Sequence, residues 1–141
     1  MMKKIIYQWI AALIFILPLQ VLADVVVVVA KGSPITSLSE NQLRQLYLQG
    51  SGRIAGNSVK ALDLPEDSST RKEFYLAAVG KTPAQMKSYW ARMIFTGRGA
   101  PPRMVSGDRA MQVMLENNPE LVGYLPGNQV SSGLKVLYRL P

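Results

Sequence analysis

Asp24-Val25-Val26-Val27-Val28-Val29-Ala30 is the stretch on which the reading of this chain turns. Successive β-branched residues lose side-chain freedom in a helix and suit a strand. A strand that is apolar at every position, rather than at alternate ones, fits a place covered on both faces, inside a mixed or parallel sheet. Lys31-Gly32-Ser33-Pro34 then turns the chain.

Upstream of the valines, residues 1–23 read as a secretory signal peptide. Lys3 and Lys4 form its positive end, Ile10–Leu17 its apolar stretch, and Val21-Leu22-Ala23 a cleavage site before Asp24. The uninterrupted apolar run is shorter than the ~20 residues a spanning helix needs, and Pro18 and Gln20 follow it. With no cysteine at the cleavage point, lipoprotein anchoring is chemically excluded. The expectation is a periplasmic protein with one domain over 24–141.

Downstream, strand and helix signals alternate. Ser39-Glu40-Asn41-Gln42 is a capping box opening a helix through Leu43, Leu46 and Tyr47, which Gly50 stops. Ser51–Ser58 reads as a polar loop and Val59–Leu64 as a second strand. A helix carrying Phe74, Tyr75, Ala77 and Ala78 ends at Gly80. Thr82-Pro83-Ala84-Gln85 opens another, with proline at the first helical position, and its stripe Met86, Tyr89, Trp90, Met93, Ile94 has core spacing. After a loop at Thr96–Arg103, Ser106 or Asp108 is expected to cap a helix through Met111 and Leu115 that ends at Asn117-Asn118-Pro119. Leu121–Leu125 and Leu134–Leu137 are short strands. This order predicts an α/β domain with a small mixed sheet flanked by helices.

Composition narrows the chemistry. The 141 residues include no cysteine and no histidine, which removes the thiol nucleophile, the thiolate metal site and the commonest general base. No carboxylate pair has a catalytic spacing, so the chain reads as a non-enzyme without catalytic residues, metal ligands or cofactor. The balance of 16 Lys and Arg against 9 Asp and Glu is basic. Beyond residue 23 the only adjacent basic pair is Arg71-Lys72, and no aromatic platform is interleaved, so nucleic acid is not an expected partner.

Two segments remain as candidate ligand sites. Asp67-Ser68-Ser69-Thr70 opens a helix, where the first backbone N–H groups lack internal partners and the peptide dipoles add positive charge. Hydroxyls beside those groups, with Arg71 behind them, suit an oxyanion; Ser68 or Asp67 acting simply as an N-cap is the alternative. The loop Thr96-Gly97-Arg98-Gly99, with Arg98, Arg103 and Arg109 near one another in sequence, reads either as an anion or protein contact or as a solvated connector.

In four pieces taken in order, the chain resembles one lobe of the periplasmic phosphate-binding proteins of ABC transporters. They are Val25–Val29, Ser37–Leu48, Ser68-Ser69-Thr70-Arg71-Lys72-Glu73-Phe74 and Val122-Gly123-Tyr124-Leu125. The third is similar to the family's Gly-Ser-Gly-Thr-Arg-x-x-Phe phosphate loop. The resemblance implies a single lobe of a periplasmic-binding-protein-like fold, with Ser68 and Thr70 in contact with the ligand; Ser69 and Arg71 join them as ligand-binding candidates from the helix start itself. It also implies phosphate or a similar oxyanion as ligand and a membrane transporter or sensor protein as partner. Ser69 stands where the family has glycine, and Leu64 and Glu66 stand where it has an arginine and an aspartate. A lone lobe leaves a bound anion partly solvated and its attraction screened. The alternative function on the same scaffold is a periplasmic interaction or adaptor module with little ligand binding.

Overall fold

The computed structural model describes residues 24–141, together with Ile14 and Ile16; the expected signal peptide otherwise lies outside the described residues. The valine run forms β1 (Val25–Ala30), and all six of its residues are buried. Strand β1 lies between β5 (Leu121–Pro126) and β6 (Leu134–Arg139) and is antiparallel to both. On the far side of β5 comes β3 (Asn57–Asp63), parallel to it, and then β2 (Ser51–Ile54), antiparallel to β3. A two-residue strand, β4 (Arg103–Met104), runs parallel to the end of β3 and completes a mixed sheet of six strands.

The first helix, α1 (Glu40–Gln49), begins with both hydrogen bonds of the Ser39–Gln42 capping box and ends at Gly50 in the left-handed region. A side chain at Gly50 would collide with the Ala100 carbonyl, so this glycine also lets the 99–101 segment close over the helix end. Helix α2 (Ser69–Phe74) continues as a π turn, Tyr75–Val79, closed by Gly80 at φ 74°. Helix α3 (Pro83–Phe95) starts with the expected Thr82–Gln85 capping box.

Three local expectations need correction. The polar segment Ser51–Ser58 is not a loop: β2 and β3 form a hairpin whose turn is Ala55-Gly56, at φ 51° and 81°. Positive φ at both turn residues matches the twist of the paired strands, but alanine there does not advertise it. Neither Ser106 nor Asp108 caps α4 (Asp108–Asn117); Gly107 holds that position with no side-chain cap. In α3 the stripe is core at Met86 and Trp90, while Ile94 is 57% exposed.

Alternation along β5 distributes the helices between the two faces of the sheet. Tyr124 points towards α1 and α2, where its ring meets those of Tyr47 and Phe74. Gly123 faces the other way, and a Cβ there would lie 2.5 Å from the Met111 sulfur and 3.0 Å from Leu115 of α4. Helix α4 therefore lies close against β5 because position 123 has no side chain. Strands β5 and β6 are parallel to each other, so the link between them crosses β1. Bonds from α4, Gln112 to the Gln129 carbonyl and Ser131 to Glu116, fasten that link.

Candidate anion-binding site

Strand β3 ends at Asp63, and the chain passes through Leu64-Pro65-Glu66-Asp67 into α2. The Ser68 N–H donates to the Pro65 carbonyl at 3.0 Å, tightening this turn. The Ser68 hydroxyl accepts the Arg71 N–H at 3.1 Å, so it is the N-cap of α2. The backbone N–H groups of Ser69 and Thr70, next in line, have no acceptor among the described residues. Ser69 is exposed and Thr70 half-buried, so this end of the helix lies at the surface.

Arg71 takes a different direction. It is 8% exposed, and its Nε donates to Asp63 Oδ2 at 3.2 Å. One helical turn later the Tyr75 hydroxyl donates to the same oxygen at 2.7 Å. The other oxygen, Oδ1, accepts the Leu64 N–H at 3.0 Å and the Tyr124 hydroxyl. Four donors thus surround one buried carboxylate, and the Arg71 guanidinium also lies 4.8 Å from the centre of the Tyr75 ring.

The electrostatics follow from this enclosure. Burial opposes the charge on Arg71, but Asp63 first, with Tyr75 and Tyr124, more than offsets it and raises the guanidinium pKa. Burial first, and the Asp63 charge second, push the Tyr75 and Tyr124 phenols well above their ordinary value. Tyr47 is shifted the same way for the same reasons, while its hydroxyl donates to the Leu62 carbonyl at 2.7 Å.

The four residues expected at the site therefore separate. Ser69 and Thr70 present open donors at the α2 end, and Ser68 shapes that end as its cap. Arg71 lines a cleft of about 580 Å³ between α3 and the Pro101–Met104 segment, a cleft that Ser68, Ser69 and Thr70 do not line. The loop arginines do not converge. Arg98 and Arg103 are exposed, and Arg109 reaches Gln112 on its own helix at 3.4 Å.

Sequence reasoning missed Asp63, Tyr75 and Tyr124. The buried acid is Asp63, not Glu66, which is exposed at the cleft rim. Its only signal was a charge breaking the apolar pattern at the end of a strand. Among the described residues no cluster of acidic side chains could hold a metal ion, and no helix is long and apolar enough to cross a membrane.

No family model and no curated protein matches the chain. Solved structures do. An ABC-type phosphate transport receptor from Vibrio cholerae superposes with a TM-score of 0.60 at 22% identity, covering 82% of this chain and 45% of the receptor. A phosphate ABC transporter substrate-binding protein from Clostridium perfringens, described as putative and solved with bound phosphate, gives 0.60 at 15% identity, covering 82% and 44%. The fold is that of a periplasmic-binding-protein lobe. The chain spans about half the length of these receptors.

Proposed function

We propose that this chain is an exported, non-enzymatic solute-binding module that takes phosphate or a related oxyanion at the start of α2, in the service of phosphate ABC transport or sensing. The observation that carries the reading is the pair of N–H groups at Ser69 and Thr70, without acceptors among the described residues and flanked by their hydroxyls. A helix start of this kind suits an anion, and the two proteins of like fold, both named for phosphate transport, support the choice of ligand. In the full reading the signal peptide is removed after Ala23 and the partner is a membrane transporter or sensor.

Binding at this site is weak, because the site is open to water and Arg71 is turned away from it onto Asp63. An NMR titration with phosphate tests it: amide shifts concentrated at Ser69 and Thr70, diminishing with added salt, are expected. No shift at millimolar phosphate removes the reading.

The commitment of Arg71 to Asp63 and of the Ser68 hydroxyl to capping favours one second reading, an interaction module on the same scaffold. A flat phosphate titration, together with a transporter or sensor protein recovered on this chain from a periplasmic extract, would favour it.

A further inference from the structure

The cleft that Arg71 lines is walled by apolar side chains. Met86 and Trp90 of α3 form one side, and Pro101, Pro102 and Met104 the other. Its volume, about 580 Å³, lies within the ordinary range for small-molecule sites. Met86 is fully buried and Trp90 nearly so, whereas Ile94 and Met104 stand exposed at the mouth.

A guanidinium has five N–H donors. In Arg71 only Nε–H is engaged, by Asp63; the side chain as a whole is nine-tenths buried, and Nη1 and Nη2, which donate to no acceptor among the described residues, are the part of it that keeps access to solvent. Two parallel donors on a planar fork are the complement of a carboxylate.

We propose that this cleft binds a small amphipathic monocarboxylate, its carboxylate on the Arg71 fork and its apolar body between Trp90 and the Pro101–Met104 wall. This site is separate from the α2 end and stands independently of the phosphate reading. An apolar wall offers nothing to a bare inorganic ion but gains from an alkyl or aryl chain that leaves water. Charge selects the valence. Arg71 and Lys87 are countered by Asp63 and Glu66 on the same lining, so a dianion finds no surplus positive charge. A single carboxylate requires only the fork. The Asp63 carboxylate does not repel it strongly, because four donors already compensate it.

Trp90 reports on the cleft. In the full chain carrying Trp9→Phe, Trp90 is the only tryptophan, and its emission is followed with octanoate, octanamide and inorganic phosphate. Octanoate is expected to shift the emission saturably at millimolar concentration or below, with octanamide at least ten-fold weaker and phosphate without effect. Ala91→Phe, placed on an exposed position of the lining, is expected to abolish the octanoate response while circular dichroism stays unchanged. Replacing Arg71 would strand Asp63, so the cleft-filling variant carries the test. Equal affinity for octanoate and octanamide, no saturation by 10 mM (about 2.7 kcal/mol of binding), or an unaltered response in Ala91→Phe would overturn the proposal. A phosphate response at Trp90 equal to that of octanoate would overturn it too, by placing the inorganic ion in this cleft.

Discussion

Tyr75 and Asp63 are joined by a 2.7 Å hydrogen bond between two elements twelve residues apart in sequence, the π turn after α2 and the end of β3. Arg71 and Tyr75, one turn apart on the same helix face, hold the same carboxylate oxygen. The bond fixes the rotation of α2 about its axis. That rotation turns Arg71 into the cleft and leaves Ser69 and Thr70 facing water.

Replacing Asp63 by Asn tests how much of the fold depends on this carboxylate. The variant leaves Arg71 buried without its counter-charge, and breaking a buried pair in this way costs about 3–5 kcal/mol. Tyr124→Phe removes one donor and should cost less, about 1–3 kcal/mol. Urea denaturation of the three proteins gives the ranking, and equal midpoints for wild type and Asp63→Asn would contradict it.

Alkaline pH should unfold the protein steeply. Tyr47, Tyr75 and Tyr124 have phenol pKa values raised in the folded state by burial and by Asp63. Above about pH 10 the unfolded chain releases these protons while the folded one keeps them, so stability is full below that pH and falls above it. Each tyrosine contributes about 1.4 kcal/mol per pH unit to the slope. Tyrosinate absorbance from these three residues should rise only together with the loss of near-ultraviolet circular dichroism.

Gly123→Ala should destabilise the protein by about 1–3 kcal/mol, because the added methyl meets Met111 and Leu115 across the α4–β5 contact. Gly32→Ala is the control, since a Cβ there meets nothing within 4 Å. Thermal melting should separate the two variants clearly.

Ser69→Pro isolates the backbone donor at the α2 end. Proline is accepted at the first helical position, and the Ser69 N–H makes no bond among the described residues, so stability should change by less than about 1 kcal/mol. Phosphate-induced shifts at Thr70 should nevertheless be lost. Ser68→Ala should do the reverse in stability, costing about 0.5–2 kcal/mol through the lost cap.

What the sequence by itself determined is local or compositional. The β-branched run at Val25–Val29 read as an interior strand, and β1 is one, because a strand apolar at every position has no face to give to water. The capping boxes at Ser39 and Thr82 and the stops at Gly50 and Gly80 were legible because each depends on residues within four positions. Tertiary structure alone decided the rest. Ser51–Ile54 is a strand because β3 offers it an edge, which its own serine and glycine do not announce. Ser68 through Arg71 read as one site because they are adjacent in sequence, but successive helical residues point in different directions, and only the packing of α2 on β3 and β5 decides which direction is cleft and which is water. Asp63 shows in the sequence only as an acid that breaks the alternation of a strand; its role exists only because β5, α2 and the π turn after it bring Tyr124, Arg71 and Tyr75 to it from 8 to 61 residues away.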